Sequence, residues 1–201
     1  MVHRRLCKRA VNEAEALRLE QLMIVGTSSR NAEVSQVRMA NGTWLNHKER
    51  PEFHRIFNNL EHNIEALDLN TAEPWQILSY DKTGYYAPHY DYLSPETNQQ
   101  LLEERGNRIA TVLVILQIAK KGGTTVFPKL DINIRPKAGD VIVWINFETN
   151  GEADMQTLHA ACPIHDGVKV GATLWVHAKK QELRLPCSVD QKLFDTKRFF
   201  G

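Results

Sequence analysis

The spacing of hydrophobic positions changes at Pro74. Before it, Phe53, Ile56, Phe57, Leu60 and Ile64 recur at helical spacing behind Pro51, and predict an amphipathic helix. Further upstream, Asn12-Glu13-Ala14-Glu15 has the form of a capping box, with Asn12 accepting a backbone N–H and Glu15 reaching back. It predicts a helix that opens there, carries Leu17, Leu22 and Ile24 on an apolar face, and ends at Gly26. Residues 28–42 read as strand and turn. After Pro74 the apolar residues come in short runs. Segments 75–80, 85–92, 109–119, 124–127, 132–135, 140–146, 157–161 and 171–178 read as strands, with a turn at Lys82-Thr83-Gly84 and a short helix over 96–104. Gly122, Gly123, Pro136, Gly139, Gly151, Pro163 and Gly167 punctuate them. The run 109–119 is rich in Val and Ile and suits a central strand covered on both faces. Helices followed by about eight short strands predict an α+β chain with a helix-supported β-sandwich or barrel.

Composition adds exclusions. A chain of 201 residues, 42% apolar, can bury the core of one domain. Lys and Arg number 25 against 24 Asp and Glu, and no basic stripe points to nucleic acid. The longest apolar run, at about eleven residues, is too short to span a membrane. The start, Met1-Val2-His3-Arg4-Arg5-Leu6-Cys7, has the charge of a signal n-region without an apolar h-region, so the chain reads as having no secretory signal. Three cysteines without CxxC spacing argue against a zinc cluster and read as free thiols of a reducing compartment. The sequon Asn41-Gly42-Thr43 points weakly the other way.

The candidate chemistry starts at Tyr86-Ala87-Pro88-His89-Tyr90-Asp91. On a strand, His89 and Asp91 would project from one face. His159, 68 residues after Asp91, is the candidate third ligand. Two imidazoles and a carboxylate suit non-haem Fe(II) with open positions; a zinc hydrolase would use the same set. His3, His47, His54, His62 and His165 lack a partner pattern and read as surface or packing residues. Lys169 lies ten residues after His159, just before the strand expected over 171–178. A lysine at the edge of an apolar barrel needs an anion, and the distal carboxylate of 2-oxoglutarate is such an anion.

His89-x-Asp91, His159 and Lys169, in their flanks, resemble the prolyl 4-hydroxylase family of Fe(II)/2-oxoglutarate dioxygenases. The likeness runs from about Trp75 to Cys187. It is carried by Tyr80-x-x-x-Gly84-x-Tyr86-x-Pro88-His89-x-Asp91, Arg108-Ile-Ala-Thr111-x-Leu113, Gly122-Gly123-x-Thr125-x-Phe127-Pro128, Pro136-x-x-Gly139 and His159-Ala-Ala-Cys162-Pro163-x-x-x-Gly167-x-Lys169. The ending Gln181-Glu182-Leu183-Arg184-Leu185-Pro186-Cys187 is similar to collagen-type α subunits. The resemblance implies a double-stranded β-helix (jelly-roll) core over 75–180, a helical support region over 1–74 and a tail over 181–201. It implies Fe(II) held by His89, Asp91 and His159, and 2-oxoglutarate held by Lys169, Tyr80 and Thr125. Peptide contacts would come from Tyr86, Arg108, Trp175 and His177, although Trp175 also reads as core packing. The implied reaction is 4-hydroxylation of peptidyl proline, collagen-like sequences included, with decarboxylation of 2-oxoglutarate to succinate and L-ascorbate as the rescuing reductant. A Cys162–Cys187 disulfide and the endoplasmic reticulum lumen are implied as well, against the cytoplasmic reading of the missing signal. A protein disulfide isomerase partner is left open by the resemblance.

Three positions depart from the family pattern. Thr83 replaces a glycine, so the turn is expected to differ, because threonine resists a positive φ. Ile115 and Val170 replace a tyrosine and a tryptophan and are expected to change the pocket walls. The alternative reading is therefore a non-catalytic relative that binds proline-rich peptides or a partner.

Overall fold

The structure is a computed structural model and describes residues 1–17, 19–21, 38–148 and 150–181. In chain order the elements are α1 (Arg4–Ala16), β1 (Glu20–Gln21), β2 (Arg38–Met39), β3 (Asn41–Leu45), α2 (Pro51–Asn63), β4 (Trp75–Tyr80), β5 (Tyr85–His89) and α3 (Pro95–Arg105). They continue with β6 (Arg108–Gln117), β7 (Lys121–Gly122), β8 (Thr125–Phe127), β9 (Ile132–Ile134), β10 (Val141–Ile145), β11 (His159–Ala161), β12 (Ile164–Asp166) and β13 (Lys169–His177). The strands form a six-stranded sheet, β1-β3-β4-β13-β6-β10, a five-stranded sheet, β2-β5-β11-β8-β9, and the pair β12-β7. The pairings are antiparallel. This is the helix-supported jelly-roll that the sequence implied.

Alternation along the central strands creates two environments. On β13, Val170, Ala172, Leu174 and Val176 enter the helix-side core, as do Trp75 and Ile77 of β4 and Ala110, Val112, Val114 and Leu116 of β6. The intervening positions Lys169, Gly171, Thr173 and Trp175, with Gln76, Leu78 and Tyr80 of β4 and Leu113 of β6, line a cleft on the other face. The helices cover the first face. Phe53, Ile56, Phe57 and Leu60 of α2 are buried there, as expected from their spacing. Full burial of side chains such as Phe53, Phe57, Trp75 and Ile77 contributes roughly 1.5–3 kcal/mol each.

The first helix corrects the sequence reading. It begins at Arg4 and ends at Ala16, with the His3 ring accepting from the Arg5 N–H at 3.2 Å. Asn12–Glu15 therefore lie in its last turn, not at its start. Its buried face is Cys7, Ala10, Val11 and Ala14, at positions i, i+3, i+4 and i+7. These side chains are small because the helix packs close against β6; a search for large aliphatic residues passes over them. Leu22, Ile24 and Gly26 lie outside the described residues. Strand β13 begins two residues earlier than expected, so Lys169 is part of the strand.

Thr83 corrects a second expectation. It does adopt the left-handed conformation, with φ 72°, in the Asp81–Gly84 turn closed by Gly84 N–H to Asp81 O at 2.8 Å. The conformation costs an L-residue roughly 1–2 kcal/mol, while glycine adds about 0.5–1 kcal/mol of unfolded-state entropy. Thr83→Gly is therefore expected to stabilise the fold by about 0.5–1 kcal/mol, seen as a rise of a few degrees in thermal melting. A lower melting temperature would show that the turn is held without strain.

Candidate active site

The cleft lies between the two sheets, and three side chains converge at one end of it. His89 closes β5 and His159 opens β11; the two strands pair, with these residues opposite each other. Asp91 lies just beyond β5. Strand alternation thus does not aim it, contrary to the sequence reading. A hydrogen bond does: Thr111 Oγ1 on β6 donates to Asp91 Oδ2 at 2.8 Å. Asp91 Oδ1 lies 3.7 Å from His89 Nε2, and Oδ2 lies 3.6 Å from His159 Nε2. All three ligand atoms fall within 4.8 Å of one another.

Backbone carbonyls set the tautomers. His89 Nδ1 faces Ala87 O at 2.8 Å and His159 Nδ1 faces Thr157 O at 2.9 Å. Each Nδ1–H donates outward, which leaves the Nε2 lone pairs turned toward Asp91. Burial, aided by the nearby His159, pushes the His89 imidazolium well below its ordinary range, so the ring is neutral near pH 7. Two imidazoles and a buried carboxylate, with no thiolate among them, fit Fe(II) as donors.

Lys169 lies farther along the same cleft, 4% exposed. Its Nζ donates to Thr125 Oγ1 at 3.1 Å, and Tyr80 is its partner residue across β4. Among the described residues no carboxylate pairs with it. Burial pushes its ammonium down to about 8, against an upward pull from the neighbouring Cys162 thiol. Burial likewise pushes the Tyr80 phenol well above its ordinary range, so it remains a donor. A buried ammonium with no carboxylate partner among the described residues, beside the Thr125 hydroxyl and with Tyr80 lining the same cleft, fits one carboxylate of 2-oxoglutarate.

The peptide-contact candidates divide. Tyr86 and Trp175 line the cleft. The Tyr86 ring stacks on His89 at 3.6 Å, and the Trp175 indole N–H is buried with no partner among the described residues. The Arg108 guanidinium lies 4.0 Å over the Trp175 ring, donates from Nε and Nη2 to Glu73 at 2.5 and 2.9 Å, and from Nη1 to Asp91 O at 3.3 Å. His177 stands behind it, 1% exposed, with Nδ1 at 2.7 Å from Gly106 O and Nε2 at 3.1 Å from Glu73 Oε1. It supports Glu73 and does not reach the cleft wall. Burial opposes the Glu73 charge, but hydrogen bonds from His177 and Arg108 outweigh it and hold this carboxyl below its usual range.

Several contributors were given no role by the sequence reading. Thr111, quoted there only within the Arg108 motif, is also the polar interruption of the apolar run 109–119. Glu73 and Arg38 carry no local signal. Arg38 is buried, its guanidinium 5.1 Å over Tyr86 and within 3.5 Å of Gln76 Oε1, and its Nε has no partner among the described residues. Two departures from the family pattern also resolve. Val170 belongs to the helix-side core and does not touch the cleft, and Ile115 is fully buried opposite Gly171. Among the described residues Cys162 is a free thiol, and Cys187, its expected disulfide partner, lies outside them.

Comparison with known proteins agrees with this geometry. Residues 75–177 match the pattern of the 2OG-Fe(II) oxygenase superfamily. The chain is 34% identical to human prolyl 4-hydroxylase subunit alpha-1 over 175 residues, covering 87% of this chain and 33% of that protein. It is 32% identical to prolyl 4-hydroxylase subunit alpha-2 of Caenorhabditis elegans over 184 residues, 91% of this chain and 34% of that one. The chain thus spans about a third of the length of these relatives. Among solved structures, the viral collagen prolyl hydroxylase of Paramecium bursaria Chlorella virus-1, in its 2OG complex, superposes with a TM-score of 0.64 at 24% identity, covering 88% of this chain and 92% of that one. A Trichoplax adhaerens prolyl hydroxylase in complex with a hypoxia inducible factor peptide fragment gives 0.61 at 16% identity, over 89% and 79%. With its metal triad at one end of the cleft and its buried lysine farther along, the chain belongs to the 2OG-Fe(II) oxygenase superfamily.

Proposed function

We propose that this chain hydroxylates peptidyl proline at C4, using Fe(II) and 2-oxoglutarate. The observation that carries the reading is the shared cleft, with the His89, Asp91 and His159 donors at one end and the unpaired Lys169 ammonium farther in. Bound at the triad, Fe(II) supplies the redox chemistry that couples decarboxylation of 2-oxoglutarate to succinate with insertion of one oxygen atom of O2 into a C–H bond. The chain supplies the rest. Lys169, Thr125 and Tyr80 donate to the distal carboxylate and fix the cosubstrate's direction. Thr111 holds the Asp91 carboxylate in its ligating orientation. Tyr86 and Trp175 offer flat apolar faces to a proline ring. Arg108, pinned by Glu73, fixes the Trp175 plane.

The choice of proline is supported by the likeness to prolyl 4-hydroxylase α subunits across most of this chain. Collagen-like sequences are the first substrates to try, and L-ascorbate is the reductant expected to sustain turnover. The test is mass spectrometry of proline-rich peptides incubated with the chain, Fe(II), ascorbate and 2-oxoglutarate. A gain of one oxygen atom on a proline is the expected result. Oxygen located on any other residue type, or succinate formed with no peptide oxidised, would overturn the assignment.

A further inference from the structure

Trp44 is a large apolar residue left 45% exposed on β3. Its direction follows from sheet register. Trp44 pairs with Gln76, Gln76 with Thr173, and Thr173 with Leu113, so the four residues form one rung across β3, β4, β13 and β6. Residues opposite one another in an antiparallel sheet point to the same side. Gln76, Thr173 and Leu113 line the cleft. Trp44 therefore stands on the cleft face, one strand beyond Gln76, about 4.8 Å farther out. Strand β1 pairs with β3 only at Asn41 and Gly42, so among the described residues no strand lies outside Trp44. Its ring centroid is 5.8 Å from that of Trp175, tilted by 45°. Trp175 is itself part of the cleft wall.

We propose that Trp44 and Trp175 form one aromatic platform that carries the substrate groove outward over the sheet edge, and that Trp44 binds a proline or other apolar ring flanking the reacting residue. The occupant is the substrate polypeptide because the surface is continuous with the cleft. Aromatic-lined grooves suit extended proline-rich chains, which reach them with little loss of conformational entropy. An extended chain of that kind rises about 3.1 Å per residue, so the 5.8 Å between the rings spans roughly two residues. The platform thus makes the enzyme prefer peptides that extend beyond the reacting residue and carry a ring about two positions away.

This inference rests on the peptidyl-proline reading above. The experiment compares two synthetic acceptors, acetyl-Gly-Pro-Gly-amide and the same acceptor lengthened on each side by four residues of alternating proline and alanine. Succinate release is followed with Fe(II), ascorbate and 2-oxoglutarate present. Trp44→Ala is expected to raise KM for the long peptide about tenfold, the size of one aromatic contact, with KM for the short peptide and for 2-oxoglutarate unchanged. Trp44→Phe should restore most of the long-peptide affinity, and Trp44→Gln, similar in length but without a ring, should not. An unchanged KM for the long peptide, or equal rises for both peptides, would overturn the platform while leaving the reaction intact. Absence of turnover of both peptides by the unaltered chain would overturn the peptidyl-proline reading, and the platform with it.

Discussion

Asp91→Asn is expected to lower turnover on the order of a thousandfold or more, because loss of even an outer partner of a metal ligand costs 10–100-fold. The substitution keeps the size of the side chain and an oxygen able to accept from Thr111 Oγ1. What it removes is the negative charge between His89 Nε2 and His159 Nε2. Iron content measured after anaerobic loading should fall in parallel. A chelator should abolish activity of the unaltered chain, with added Fe(II) restoring it, and the variant should not recover. The metal-free variant should melt no lower than the metal-free original, since Asp91 is a buried charge with no cation paired to it in the site. Retained iron and retained activity in Asp91→Asn would show that the triad is not the metal site.

Lys169→Met is expected to raise KM for 2-oxoglutarate about a hundredfold, as for losing a buried charged partner worth roughly 2–5 kcal/mol, while iron uptake is preserved. The residue also imposes a pH dependence. Burial brings its ammonium down to about 8 in the free protein. A bound carboxylate favours the charged form, so affinity for 2-oxoglutarate is full below that value and falls as pH rises through it. The effect on folding has the opposite sign. Between pH 8 and the ordinary lysine range the unfolded chain binds more protons, so the ligand-free fold gains stability as pH rises. Lys169→Met should flatten both trends. Titration of 2-oxoglutarate affinity from pH 6.5 to 9.5 measures the first; a flat profile in the unaltered chain would remove Lys169 from the anchor.

The sequence revealed the chemistry more readily than the local geometry. His89, Asp91, His159 and Lys169 were legible because ligand types and spacing survive without coordinates. How Asp91 is aimed was not, because a side chain beyond a strand end is oriented by a neighbour from another strand, here Thr111. The helix over Pro51–Asn63 announced itself by large apolar residues at regular spacing. The helix over Arg4–Ala16 did not, since close packing selects small residues whose pattern is faint. Glu73 and Arg38 stayed hidden because nothing near them in sequence tells what they meet. Val170 was misplaced for another reason: which face a strand residue occupies depends on register, and only the sheet reveals that.

Arg108 joins parts of the molecule that could otherwise change independently. Its fork grips Glu73, its remaining nitrogen holds the carbonyl of the residue that supplies the carboxylate ligand, and its plane lies on the Trp175 ring. Lysine could satisfy one of these contacts and not all of them. The floor of the groove and the loop bearing Asp91 are therefore one mechanical piece. A polypeptide lying against the indole would therefore share one supporting residue with the backbone of a metal ligand.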